Sequence, residues 1–228
     1  LVAPVMDSLK RSAVGKTAGA LPGIGSAVNA VTELVLTTAV LVRNSLGIAL
    51  LLVILAVGAT PTVPPAAGMD SPKVVDCVTA LTGADLPGQR ILVVGGGLVG
   101  CETALGYAQA GKTVTIVEAL PDILSAGIPV PEMNVSMLRD LLAEWKVTLR
   151  TGCRLAQVTA EGAVVTGSQG EETLPVDHVV LAVGFTPRPS LAGELAGTGM
   201  EVYQVGDGSK VGSVMTAIAS AYTVARAL

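Results

Sequence analysis

An α/β fold, a mostly parallel sheet covered by helices, is what this sequence predicts. Three observations carry that expectation. Short β-branched and leucine runs recur at Arg90–Val94, Thr113–Val117 and Val179–Val183, and a stretch with helical spacing separates the first two. Strands joined by a connection of that length pair in parallel, because a tight hairpin is out of reach. The chain is also 50% hydrophobic but only 2% aromatic, so Val, Leu, Ile and Ala must build the core, as suits strands buried on both faces. Its 228 residues leave room for one or two domains.

The organising stretch is RILVVGGGLVGCETALGYAQAGKTVTIVE, Arg90 to Glu118. After the first strand, Gly95, Gly97 and Gly100 give G-x-G-x-x-G where that strand must turn into a helix. Each spacing has a mechanical reason. Gly95 permits the sharp turn, Gly97 has no Cβ to hold a pyrophosphate off the backbone, and Gly100 lets helix pack closely on strand. Leu98, Cys101, Leu105 and Ala108 fall at three- and four-residue spacing, which predicts a helix over Leu98–Ala110, stopped by Gly111. The free amides and positive dipole end at its start, along Gly95, Gly96, Gly97, Leu98, Val99 and Gly100, are where phosphates are held. The following strand ends in Glu118, whose carboxylate can accept hydrogen bonds from an adenosine ribose and would repel a 2′-phosphate. No Arg follows closely, so the expected cofactor is NAD(H) rather than NADP(H). A lone glycine motif would leave a bland turn open, but flanking strand, helix and terminal acid complete a Rossmann-like unit.

Residues 1–50 differ from the rest. Lys10, Arg11 and Lys16 precede a Gly/Pro-rich turn at 19–26, and an apolar region then runs from Ala27 to Gly58. Neither half of it reaches the about 20 clean apolar residues of a spanning helix. Three readings stand: helices on a soluble core, a membrane-associated helical hairpin making contact through residues 27–58, and a foreign segment joined to a soluble domain. Beyond it, Leu52–Val57 reads as a buried strand running into Gly58-Ala59-Thr60-Pro61, and Pro64-Pro65 enforces an extended linker. Ser71–Leu81 reads as a short helix, and Leu86-Pro87-Gly88 as a turn.

Past Glu118 a loop leads to a helix from Pro131 to about Trp145, with Met133, Met137, Leu138, Leu141, Leu142 and Trp145 assigned to one core face. Val147–Arg150 is the next strand. Three short strands near Arg154–Thr159, Ala163–Thr166 and Glu171–Val176 then form a β-meander with Gly162, Gly167 and Gly170 at the bends. Val179–Val183 returns to the parallel sheet and ends at Gly184. The chain closes with a strand into Gly206-Asp207-Gly208 and a small-residue helix from about Gly212 to Leu228. Asp207 either hydrogen-bonds a ligand hydroxyl or caps that helix.

Net charge −4 and a pI near 5.0 give no electrostatic case for nucleic acid, so no such partner is expected. Cys77, Cys101 and Cys153 are odd in number and far apart, which encodes no metal site or redox dithiol locally. They read as buried reduced thiols in a cytoplasmic protein, with membrane association left open by the apolar segment. His178, the one histidine, has no nearby Ser, Cys or paired acid to make a catalytic set. No catalytic residue is assigned.

Together these motifs resemble the pyridine nucleotide-disulfide oxidoreductases, and most closely the C-terminal part of NADH:flavin oxidoreductase and 2,4-dienoyl-CoA reductase type proteins, over about residues 51–228. LAVGATPTVPPAAG is similar to the family's exit from its FAD domain, RILVVGGGLVGCE to its NAD(P)H fingerprint, and LAVGFTPRP to a repeat of the exit motif. YQVGD resembles its flavin-contacting turn. The resemblance implies FAD beside NAD(H). It places Glu102 near the nicotinamide and Gly58, Ala59, Gly184, Gly206 and Asp207 toward the flavin. It also implies four parts: an apolar segment 1–50; 51–82 as exit strand and linker of an incomplete FAD-type domain; 83–189 as the NAD(H)-binding domain; and 190–228 as the return of the FAD-type domain. No G-x-G-x-x-G follows a strand in residues 1–50, so tight unaided FAD binding is not expected. A separate FMN-bearing domain is the partner the resemblance suggests. Residues 1–50 themselves resemble a stage III sporulation membrane protein family.

Three functions follow as expectations: an oxidoreductase module passing hydride from NADH to a flavin, a catalytically incomplete NAD(H)-binding remnant or fusion, and a membrane or assembly protein acting through residues 1–58.

Overall fold

The computed structural model describes residues 42–43, 49–50, 52–83, 85–188, 192–195 and 201–228. The predicted turn at 19–26 and the apolar stretch 27–41 lie outside them. The four described positions before residue 51 are not helical. Val42–Arg43 (β1) pairs antiparallel with Ala49–Leu50 (β2), Val42 opposite Leu50. The chain clusters into two compact units, Ala59–Arg188 with Val211–Met215, and the stretches up to Gly58, Pro189–Lys210 and Thr216–Leu228.

In the smaller unit, Leu52–Leu55 (β3) runs parallel to Glu201–Gln204 (β14, numbered in chain order), with Val53 opposite Val202. At its C-terminal end β3 leads into an irregular segment, Ala56–Gly58, and β14 into the 3₁₀ turn Gly206–Gly208. The C-terminal helix, Val214–Ala227, starts slightly later than the spacing suggested.

The larger unit opens with Ala59–Pro61 (β4) and Val74–Asp76 (β5), followed by a helix, Cys77–Leu81 (α1). Then come Arg90–Val94 (β6), Leu98–Gln109 (α2), Thr113–Glu118 (β7), Glu132–Glu144 (α3) and Thr148–Thr151 (β8). Arg154–Val158 (β9), Ala163–Gly167 (β10) and Gly170–Leu174 (β11) form the expected antiparallel meander, and His178–Leu181 (β12) and Phe185–Pro187 (β13) complete the unit. The main sheet is parallel throughout in the order β5-β12-β6-β7-β8.

Strand alternation explains why β6 is apolar at every inner position. Ile91 and Val93 join the cluster of Cys101, Ala104, Ile116, Leu138 and Leu142 beneath the helices. Leu92 and Val94 join Val158, Val165 and Val179 beneath the meander. A strand covered on both faces has no polar position to spare. Burying each of Ile91, Leu92 and Ile116 contributes about 1.5–3 kcal/mol.

Two expectations fail in instructive ways. Ser71–Leu81 is not one helix: Val74-Val75-Asp76 pair with β12 as the sheet's edge, and Asp76 Oδ1 caps α1 by accepting from the Val78 and Thr79 amides. The β-branched pair gains more from the sheet than from helix. On α3 the buried residues are Leu138 and Leu142, whereas Met133 is 82%, Met137 55% and Trp145 43% exposed. The helix carries two apolar stripes, and the sheet buries only one.

Across the opposite end of the sheet, Asp177 ties the start of β6 to the approach to β12. Its Oδ2 accepts from the Gln89 and Arg90 amides at 2.8 and 2.9 Å, and Oδ1 from the Arg90 guanidinium at 2.7 Å. The Arg90 guanidinium, with those amides, holds this carboxyl well below the usual carboxylate range. A depressed folded value stabilises the fold above the unfolded value of about 4 and is lost as pH falls below it. Asp177→Asn should therefore lower Tm at neutral pH, and the two Tm curves should converge on acidification below about pH 4. Parallel curves throughout would remove this role.

Candidate functional site: a glycine turn at the sheet's switch point

From β6 the chain proceeds outward through β7 and β8 on one side, while β12 and β5 lie on the other. The carboxyl ends of β6 and β12 therefore mark the point where strand order reverses, the place where open α/β sheets leave a crevice. Gly95–Gly100 occupy it. Gly95 has φ +108°, and a Cβ there would run into the Ala182 carbonyl beyond β12. A Cβ at Gly100 would meet the Gly95 carbonyl oxygen, so the helix can approach the turn only without a side chain. Gly97 is the contrast: nothing lies within 4 Å of the position its Cβ would take. One glycine turns, one packs, and one faces open space, as the spacing predicted.

Gly97 is the N-cap of α2, and no side chain caps the helix. The first-turn positions Leu98, Val99 and Gly100 thus begin a helix whose amides lack a side-chain acceptor, and such an N-terminus is a ready anion cradle. Leu98 and Glu102 are exposed beside it, while Cys101 is fully buried. Glu118 ends β7 next to the turn. Its Oε2 accepts from the Gly96 amide and its Oε1 from the Leu120 amide at 2.7 Å, leaving further lone pairs on each oxygen.

A feature that sequence reasoning missed is the loop after Glu118. Ile123, fully buried, lies where a Gly96 Cβ would have to go, and the Leu124 amide donates to the Gly96 carbonyl at 2.8 Å. Leu124 does so with φ +58°. Both backbone polar groups of Gly96, its N–H and its C=O, are therefore held. An apolar residue following an Asp gave no signal of this.

Ala59 and Gly184 flank a second arrangement. The repeated motifs Gly58-Ala59-Thr60-Pro61 and Gly184-Phe185-Thr186-Pro187 meet as β4 and β13, antiparallel about Thr60 opposite Thr186. The Thr62 amide donates to the Gly184 carbonyl at 3.0 Å, and the Thr62 and Thr186 hydroxyls lie 2.8 Å apart. In the smaller unit, Gly206 donates its amide to Ser220 Oγ at 2.9 Å, and a Cβ on Gly208 would press on Val57 at 3.1 Å. The Val57-Gly58 and Gly206–Gly208 segments thus lie together at the carboxyl ends of β3 and β14, with Asp207 between the two glycines.

The cysteines sit apart from any chemistry. Cys77 and Cys101 are buried as expected, but Cys153 is partly exposed, which corrects the reading of three buried thiols. Burial pushes the Cys101 thiol up to about 12, and raises Cys77 as well. A thiol reagent at neutral pH should modify Cys153 in the folded chain and all three only after unfolding, because the thiolate is the reactive form. Rapid labelling of Cys101 in folded protein would contradict this packing. His178 begins β12 at the end opposite the glycine turn, so it takes no part in the site. Among the described residues no group of His, Cys, Asp and Glu could hold a metal, and no helix is long and apolar enough to cross a membrane.

Known proteins are similar to this chain in sequence and in fold. Cinnamate reductase of Clostridium sporogenes is 37% identical over 174 residues, which cover 76% of this chain and 26% of that protein. NADH oxidase of Thermoanaerobacter brockii is 32% identical over 180 residues, 76% of this chain and 27% of that one. A 2-naphthoyl-CoA reductase complex superposes with a TM-score of 0.67 at 27% identity, over 75% of this chain and 26% of its own. The water-forming NADH oxidase of Lactobacillus brevis, at 19% identity and a TM-score of 0.57, shares the fold over 76% of this chain and 45% of its own. The chain spans about a quarter of the length of the first of these relatives. Residues 28–217 match the pyridine nucleotide-disulphide oxidoreductase family, and the chain belongs to that family.

Proposed function

We propose that this chain is an electron-entry module that takes a hydride from NADH and delivers it to FAD. The observation that carries the reading is the glycine turn: an uncapped helix start, with open space over Gly97, at the sheet's switch point. The residues present fit the dinucleotide. The amides of Gly97, Leu98, Val99 and Gly100 would hold its pyrophosphate, Glu118 would take the ribose hydroxyls through its remaining lone pairs, and Glu102 would lie toward the nicotinamide. For the flavin, the fitting residues of the smaller unit are Gly58, Gly206 and Asp207; Ala59 and Gly184, in the larger unit, are assigned to it by the family resemblance. Bound NADH is a two-electron donor and FAD the matching acceptor, and that redox chemistry belongs to the cofactors. The protein's part is to bind, orient and keep one sugar type.

In this reading residues 83–189 form the NAD(H)-binding domain, and 51–82 with 190–228 contribute part of an FAD-type domain. The family match begins at residue 28, which favours counting residues 28–50 with the module over a foreign sporulation-type segment. The setting we propose is like that of the 2,4-dienoyl-CoA reductases, with electrons leaving through a separate FMN-bearing domain.

The test is a visible spectrum of the purified chain with added FAD, before and after NADH. Protein-bound flavin absorbance that bleaches on adding NADH supports the module. NADH binding without bleaching would leave the remnant reading, and no NADH binding at all would overturn the proposal.

A further inference from the structure

Behind the glycine turn, Arg139 of α3 grips the loop that follows Glu118. Its Nη1 and Nη2 donate to Asp122 Oδ1 and Oδ2 at 3.0 and 2.8 Å, and Nη2 also donates to the Ile123 carbonyl at 2.9 Å. Asp122 Oδ1 in turn accepts from the Ile123 amide at 2.9 Å, and Ser125 Oγ donates to the Asp122 carbonyl at 2.6 Å. The next residues are the ones that fix Gly96: Ile123 against its Cα, Leu124 on its carbonyl. From Arg139 to the glycine turn there is thus an unbroken chain of hydrogen bonds and packing.

We propose that Arg139 is a positioning residue for the dinucleotide turn, acting through Asp122, Ile123 and Leu124 on the Gly96 peptide. The inference rests on the NADH-binding reading above. The ion pair as such contributes little to stability, since both side chains are partly exposed and water screens them. Its use is geometric. A bidentate fork combined with a carbonyl contact fixes one loop conformation, which a lysine's point charge does not. That conformation includes Leu124 at positive φ, which a leucine adopts only under constraint. With the loop held, Gly96 cannot rotate its peptide, and the neighbouring amides stay aimed at the place a pyrophosphate would take.

The experiment measures the NADH Kd of the intact chain by calorimetry, with Arg139→Gln, Asp122→Asn and Arg139→Lys as variants. It is paired with amide hydrogen exchange in the absence of nucleotide. Arg139→Gln and Asp122→Asn should each weaken NADH binding on the order of tenfold, the loss expected of a charge-assisted hydrogen-bond fork, with Arg139→Lys recovering part of it. In Arg139→Gln the Gly96 and Leu124 amides should lose protection while those of Leu92 and Val93 in β6 keep theirs. A merely structural role would loosen both sets together, and that outcome, or a wild-type NADH Kd in Arg139→Gln, overturns the inference. Failure of the wild-type chain to bind NADH would instead overturn the binding reading and this inference with it.

Discussion

Adding one methyl group at Gly97 is expected to weaken NADH binding by roughly ten- to a hundredfold while leaving the fold nearly untouched, because a methyl wedged between backbone and ligand costs about 1–3 kcal/mol, as overpacking does in a core. The backbone at Gly97 has φ −72° and ψ −177°, extended geometry that alanine adopts freely, and its Cβ would meet no protein atom within 4 Å. The only thing such a Cβ can obstruct is a ligand lying against the helix start. The fold cost of an alanine N-cap is about 1 kcal/mol at most, which for a chain of this size is roughly 2–4 °C in Tm. The measurement is a calorimetric NADH titration of Gly97→Ala beside its thermal melt. Wild-type affinity in this variant would mean that no pyrophosphate approaches there, and the assignment of Gly95–Gly100 would fall.

Such a separation of binding from folding is possible because the glycine positions were legible one by one. G-x-G-x-x-G after a β-branched run is a local constraint: each missing Cβ answers to atoms within a few residues or on one neighbouring strand. The same holds for the alternation in β6, where Ile91 and Val93 go to the helices and Leu92 and Val94 to the meander. What escaped the sequence was decided at longer range. On α3, Met133, Met137, Leu141 and Trp145 lie four residues apart and compete with Leu138 and Leu142 for the core. Only the position of the sheet chooses the second, and periodicity cannot. Val74 and Val75 were drawn out of a helical reading by β12, which lies about a hundred residues later in the chain. The Asp122–Arg139 fork spans a loop and half a helix, and nothing in the spacing of an Asp and an Arg announces it. Similarly, the two Gly-x-Thr-Pro repeats were recognisable as repeats, but their antiparallel pairing about Thr60 and Thr186 was not.

The second large effect lies at Gly100, where the expected loss is of fold and binding together. Gly100→Ala would gain up to about 1 kcal/mol of helix propensity. Against that, its Cβ would fall on the Gly95 carbonyl oxygen, a backbone atom that cannot swing aside as a side chain would, with Ala182 at 3.4 Å behind it. Either α2 moves off β6, opening the packing of Cys101 and Ala104, or the turn itself shifts. Overpacking of this kind costs typically about 1–3 kcal/mol, so the net change is a destabilisation seen as a Tm several degrees lower. Gly106→Ala supplies the control. It lies on the same helix, exposed and with nothing within 4 Å of its Cβ, so alanine there should raise stability by about 0.5–1 kcal/mol and leave NADH binding alone. The pair separates packing from propensity: if Gly100→Ala melted as high as Gly106→Ala, the close contact of helix and turn would be the wrong account of why that glycine is there.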